Sequence, residues 1–399
     1  MGNTVTMDSS CKPLGTSGLS KGLPDVSKET IRGHVPDQKF EYAVSGMKGF
    51  RETMEDQHLV CTDVQVNGQT LEGHSLFVVF DGHGGSAASQ FCASNFLQTF
   101  TNSEDLEKYA RLQQKGRSSR ADTNGIKLIK RALTYTFEEL DRQLTVDQVR
   151  KNKEFFEQQA KLQQQGPSSE GKKVAVPVGE RSGTTCIAVL FTPSHFVCAN
   201  AGDSRAILKR NGKVLPLSFD HKPSTIPEKI RVIQAKGEVV GKRIDGDLAV
   251  SRALGDFVHK LNPDVSPAEQ KVIATPDFTI YPRVHSADEF IVLACDGIWD
   301  VATNQECSDY VQSLLSSGET DLGNICEDSI DTCLERNSRD NMTIAIIGLP
   351  AMKVDRSGRS AMMNIAWSQR SMRTARRFAQ HSVVHASVYA SNTLRSFVW

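Results

Sequence analysis

Asp81-Gly82-His83-Gly84-Gly85 sets a carboxylate and an imidazole among glycines, directly after the apolar run Leu76-Phe77-Val78-Val79-Phe80. Such a run reads as a strand buried on both faces. The carboxylate therefore emerges where a core strand ends, and the glycines let backbone and ligand come close. The pattern returns at Phe290 to Cys295, which runs into Asp296-Gly297, and Asp340 directly precedes the strand-like Met342 to Ile347. Carboxylates at the ends of buried strands suit a hard cation: Mg²⁺ or Mn²⁺ takes oxygen ligands, and two such ions can activate water against a phosphate. His83 differs from the chain's other histidines because it lies two residues from a candidate metal carboxylate inside a glycine-rich turn. Asp296 and Asp300 add two acids four residues apart. Arg51-Glu52-Thr53-Met54-Glu55-Asp56 alone is a charged loop, and Ala201-Gly202-Asp203-Ser204-Arg205 alone is ordinary turn chemistry.

The elements that must position these residues alternate between helical and strand patterns. Ala88, Phe91, Cys92, Phe96 and Phe100 have helical spacing, as do Ile129, Leu133, Phe137, Leu140 and Leu144. Gln158 to Gly171 reads as an exposed loop. Strands are expected over Thr184–Phe191, His195–Ala201, and Arg205–Leu208 with Val214–Leu217 around the hairpin signal Asn211-Gly212. Thr225-Ile226-Pro227-Glu228 fits a capping box opening a helix through Ile230 and Ile233, ended by Gly237. Later helices are expected near Gln305–Leu315 and Leu322–Leu334. Hairpin-linked strands mixed with helix pairs argue an α+β fold with antiparallel sheets.

The chain has 399 residues with zero formal net charge, so it projects no global basic field toward nucleic acid. Its nine cysteines form no CxxC pair, and Cys186, Cys198 and Cys295 sit inside apolar runs, which suits a reduced, intracellular protein. No run approaches the roughly 20 apolar residues that span a bilayer. Residues 1–39 read as a flexible extension, 40–350 as the folded domain, and 351–399 as a tail in which eight basic residues face only Asp355, a net charge of +7.

Taken together and in order, the motifs resemble the metal-dependent protein serine/threonine phosphatases, the PPM family also called type 2C. The matching stretches run from Arg51 through FDGHGG at 80–85, SGTT at 182–185 and AGDSR at 201–205. They continue through DHKP at 220–223, LAVSRALGDF at 248–257, ACDGIWDV at 294–301 and RDNMT at 339–343. The resemblance implies a layered α-β-β-α architecture, a central antiparallel β-sandwich flanked by helix pairs. It implies that Asp81 bridges two Mn²⁺ or Mg²⁺ ions, that Gly82 offers its carbonyl, that Asp296 and Asp340 complete one metal's shell and that Glu55 ligates the other. Asp56 would hold metal-bound waters, and Asp203 and Asp300 with Asp296 would form a weaker third metal site. Arg51 matches the phosphate-binding arginine and His83 the proposed general acid. The reaction implied is hydrolysis of phosphoserine and phosphothreonine in proteins by a water that the paired metals acidify. The alternatives are a pseudophosphatase that binds phosphoproteins without turnover, which the full set of expected ligands argues against, and a two-metal nuclease, which the absence of a basic groove argues against.

The extensions carry signals of their own. Met1-Gly2-Asn3-Thr4-Val5-Thr6 fits N-myristoylation at Gly2, which would make a cytoplasmic protein membrane-associated. One acyl chain binds membranes only marginally, so palmitoylation at Cys11 or the basic tail is the expected second signal. Ile365, Met372 and Phe378 also give the tail the spacing of a calmodulin-type target helix.

Overall fold

The computed structural model describes residues 23–114, 119–163 and 182–354; Gly2, Cys11, residues 164–181 and the tail from 355 lie outside them. Two antiparallel sheets face each other. One has six strands in the order Asp25–Val35, Phe40–Gly49, Met342–Gly348, Asp288–Ala294, Arg205–Arg210 and Lys213–Pro216. The other has five, in the order Asp277–Pro282, His195–Ala201, Cys186–Phe191, Ser75–Phe80 and Gln57–Cys61.

Strand periodicity builds the layers. In Ser75–Phe80 every residue is buried, but alternate side chains go to different cores. Phe77 and Val79 meet Phe40, Val44, Ile291, Leu293 and Ile347 between the sheets. Leu76, Val78 and Phe80 face outward onto Phe96, Phe100, Leu133 and Phe137 of the helices Ala87–Thr101 and Ser119–Gln163. On the other side, Val292, Ile344 and Ile346 pack against Val311, Leu315, Ile325 and Ile330 of the helices Asn304–Ser316 and Leu322–Glu335. The outcome is the expected α-β-β-α stack, with three helices rather than a pair on the five-stranded side, because Glu104–Gln114 adds one. Among the described residues, no helix is long and apolar enough to cross a membrane.

Three local expectations are corrected. Residues 1–39 do not all stand apart from the fold. Asp25–Val35 is an edge strand in register with Phe40–Gly49, fastened to the helix beneath by Lys28–Asp331 at 2.8 Å and Arg32–Asp321 at 2.8 Å. The predicted loop at 158–171 begins too early, because the helix Ser119–Gln163 continues to Gln163. The capping box at Thr225 does not form. Glu228 is buried and accepts instead from Arg252 at 2.8 Å and from the Ser251 hydroxyl at 2.7 Å, leaving the helix Ile226–Gln234 opened by Thr225 and Pro227 alone. Ile230 and Ile233, the expected apolar positions, face solvent together with Ile226, and Val232 is buried instead. The Asn211-Gly212 hairpin is present, both residues at positive φ (48° and 72°) as a type I′ turn requires.

The topology sends the motif loops to one end of the sandwich. There Ser75–Phe80 runs out into Asp81, Asp288–Ala294 into Asp296 and Phe40–Gly49 toward Arg51, while Met342–Gly348 begins just after Asp340. A small three-stranded sheet of Gly82–His83, Gly183–Thr184 and Leu254–Gly255 ties three of the motifs together across this end.

Candidate metal centre

A cleft of about 610 Å³ at this end is lined by Arg51, Glu55, Asp81, Gly82, His83 and Asp203, and also by Asp296, Asp300 and Asp340. Every expected catalytic or metal-ligating residue except Asp56 lines it; Asp56 lies just beneath, 3% exposed. Two groups are tight. Oxygens of Asp81, Asp203 and Asp296 lie within 4.8 Å of one another, and so do oxygens of Asp56 and Asp81 with the Cys295 sulfur. Glu55, Asp300 and Asp340 line the cleft without joining either group. Glu55 accepts from the Thr53 hydroxyl at 2.7 Å and from the Gly85 N–H at 3.1 Å. Asp340 accepts from Arg51 at 2.5 Å.

Backbone bonds fix the centre of the site. The Asp81 carbonyl accepts from the Thr185 N–H at 2.9 Å, and the Asn341 side chain accepts from the Glu55 N–H at 2.8 Å while donating to the Lys48 and Thr53 carbonyls. Gly82 has no alternative here, since a Cβ would lie 2.3 Å from the Glu55 carbonyl oxygen. Gly183 is equally constrained, because a Cβ would fall 2.5 Å from His83 Nε2 and closer still to Asp256.

Electrostatics mark the cluster as built for cations. Burial, then repulsion from Asp296 and its neighbours, pushes the Asp81 carboxyl well above the usual range. Burial and the facing Asp203 and Asp340 do the same to Asp296. Burial raises Asp56 to about 6 against the opposing hydrogen bond from the Thr343 hydroxyl at 2.7 Å, and its other oxygen, Oδ1, has no hydrogen-bond partner although buried. Crowded carboxylates that resist ionising, one with an orphaned oxygen, fit oxygen-seeking dications.

Two partners of the cleft residues escaped sequence reasoning, although both stand inside the quoted motifs. Asp256, at φ +51°, places Oδ2 2.7 Å from His83 Nε2. Burial opposes charge on His83, but Asp256 overcomes it and the net shift is upward. Lys222 donates to Asp203, whose carboxyl burial raises despite that cation. Thr343 and Asn341, which hold Asp56 and the Glu55 loop, also went unassigned; the signal available was their adjacency to Asp340.

The Protein phosphatase 2C family matches residues 40–342. Protein phosphatase 1A of Homo sapiens is 36% identical over 327 residues, covering 82% of this chain and 75% of that protein. Protein phosphatase 1B of Homo sapiens is 36% identical over 319 residues, covering 80% of this chain and 59% of that one. A serine-threonine phosphatase 2C from Toxoplasma gondii shares the fold, with a TM-score of 0.63 at 20% identity over 80% of this chain and 99% of the other.

Proposed function

The chain belongs to the protein phosphatase 2C family and is a metal-dependent protein serine/threonine phosphatase, and we propose a division of labour for its site residues. Asp81, the Gly82 carbonyl, Glu55, Asp296 and Asp340 would hold two Mn²⁺ or Mg²⁺ ions, Asp56 would orient their waters, and Asp203, Asp296 and Asp300 would hold a weaker third ion. The observation that carries this is the packing of Asp81, Asp203 and Asp296 within 4.8 Å in the cleft that also contains Arg51 and His83. When bound, the dications reverse the repulsion between these carboxylates and a phosphate dianion and make water a better nucleophile at neutral pH.

The chain's own groups do the rest. Arg51 presents a planar guanidinium to two phosphoryl oxygens, a match that lysine cannot make. His83 donates a proton to the departing serine or threonine oxygen, whose alkoxide is too basic to leave unaided. Asp256 keeps that imidazole charged and oriented. No cysteine nucleophile is needed: Cys295, against Asp56 and Asp81, is held as a thiol by burial. A phosphoprotein-binding pseudophosphatase has no use for a complete set of crowded carboxylates.

The proposal extends to location and partners. Myristoylation at Gly2, reinforced by Cys11 or the +7 tail, would bring the enzyme to membranes, and the tail would serve a calmodulin-like partner if one binds. The deciding assay is phosphate release from a phosphothreonine peptide with and without Mn²⁺. Turnover that needs the metal and is lost in Asp81→Asn is expected; peptide binding without turnover would restore the pseudophosphatase.

A further inference from the structure

We propose that Lys222 is a built-in cation of the peripheral site, so that a third dication binds only by displacing the lysine from Asp203. This rests on the reading that Asp203, Asp296 and Asp300 form that site.

The geometry delivers the ammonium there from a fixed backbone. The His221 N–H donates to the Gly202 carbonyl at 2.9 Å, and the Gly202 N–H returns a bond to His221 Nδ1 at 3.2 Å. On the far side, the Ser251 N–H and hydroxyl both donate to the His221 carbonyl. The Lys222 carbonyl accepts from the Thr225 N–H and hydroxyl. Lys222 is thus clamped one residue from the turn that presents Asp203, and its ammonium donates to the Asp203 carboxylate.

The surrounding charges leave it that destination. Asp220, next in sequence but one, is taken by a bidentate bond from Arg205 at 2.8 and 2.7 Å. Lys222, Asp203, Asp296 and Asp300 all line the same cleft, so the acids around the ammonium include the three assigned to the peripheral metal. The other cleft cations are engaged elsewhere, Arg51 with Asp340, His83 with Asp256 and Arg243 with the Asp247 carbonyl at 2.5 Å.

Two cations compete for one Asp203 carboxylate, so the resident one lowers the apparent affinity of the other. The lysine side chain is 34% exposed against 2% for Asp203, so it can swing out to solvent while the carboxylate stays. Acetylation would remove its charge and vacate the site.

Calorimetric titration of the full chain with Mn²⁺ tests this. Lys222→Met and Lys222→Gln should tighten the weakest binding event by roughly tenfold or more, the scale of one charge-assisted hydrogen bond. The two tight events should not change, and Lys222→Arg should stay close to wild type. A weak event that is unchanged or weaker in Lys222→Met overturns the proposal. Asp203→Ala locates the fault: its loss of the weak event leaves the peripheral site standing without a role for the lysine, whereas survival of that event removes the site assignment and the proposal together.

Discussion

His83 Nε2 and Asp256 Oδ2 lie 2.7 Å apart although 173 residues separate them in the chain. The small sheet that pairs Gly82–His83 with Gly183–Thr184, and that strand with Leu254–Gly255, makes the contact. Asp256 should thus be a positioning residue for the proton donor. Asp256→Asn should slow hydrolysis of a phosphothreonine peptide by roughly 10²-fold, the lower end of what general acid catalysis contributes. It should slow p-nitrophenyl phosphate less, since nitrophenolate leaves without a proton. Because Asp256 raises the His83 pKa, wild-type turnover should fall as pH rises through that raised value, and the variant's fall should move to lower pH. Equal losses on both substrates, with no movement of the profile, would remove this role. His83→Gln should show the same substrate split.

Metal-free stability should depend on pH in a direction set by the carboxylate cluster. Asp56, Asp81 and Asp296 are raised in the fold, so the folded chain binds protons that the unfolded chain has released. Stability from these groups is present at low pH and is lost as pH rises through the folded values, near 6 for Asp56. In EDTA, the melting temperature should be higher at pH 5.5 than at pH 7.5. Asp81→Asn should melt above wild type at pH 7.5 without metal, because one repelling charge is gone, while losing nearly all turnover with metal. A metal-free variant melting below wild type would contradict the electrostatic account.

One guanidinium nitrogen of Arg51 donates to Asp340 at 2.5 Å, and the side chain, 57% exposed, leaves the rest of the guanidinium open to the cleft. Arg51→Ala should mainly raise KM for a phosphopeptide, by roughly tenfold or more for a lost charge-assisted contact, with a smaller effect on kcat. A fall confined to kcat would instead assign Arg51 to the transition state.

Much of this was legible in sequence where burial is two-sided. Residues 76–80 and 290–294 are apolar on both faces, which marks them as core strands, and the acids that follow them, Asp81 and Asp296, face the cleft. Asp25–Val35 was not legible. Its polar alternation suits an edge strand with one wet face, and charges whose partners lie far along the chain help to hold it, as with Lys28 and Asp331. Thr225 and Glu228 satisfied a local capping pattern, but Arg231, Arg252 and Ser251 bind Glu228 more strongly than a helix terminus can. Asp256 and Lys222 were visible as letters in motifs, but their roles depend on contacts that only the tertiary fold makes.

The edge strand carries its own test. Lys28 and Asp331 are 10% and 9% exposed, and Lys28→Ala would leave Asp331 as a carboxylate that burial already makes reluctant to ionise. Breaking the pair should cost about 2–4 kcal/mol in urea unfolding, toward the low side for a buried pair because some solvent reaches it. Lys28→Met with Asp331→Leu should recover much of that loss. No measurable change in the single variant would mean that the strand contributes little to the fold.

Gly2 connects to this strand. Asp25 pairs in register with Gly49 and forms a 3.0 Å ion pair with Lys48, so the chain enters the fold at the cleft end of the sheet, close to Arg51. A preceding arm of 22 residues spans at most roughly 75 Å when extended. An acyl chain on Gly2 would therefore hold the cleft within that distance of a membrane without supplying any group to the chemistry. One myristoyl chain binds reversibly, so Cys11 or the basic tail would have to reinforce it. Gly2→Ala should move the enzyme from membrane to soluble fractions in a eukaryotic host while leaving turnover of a soluble phosphopeptide unchanged. Intact mass of wild-type protein from that host decides the question directly, because an N-terminus without the myristoyl increment leaves the arm with no anchor and removes the membrane assignment.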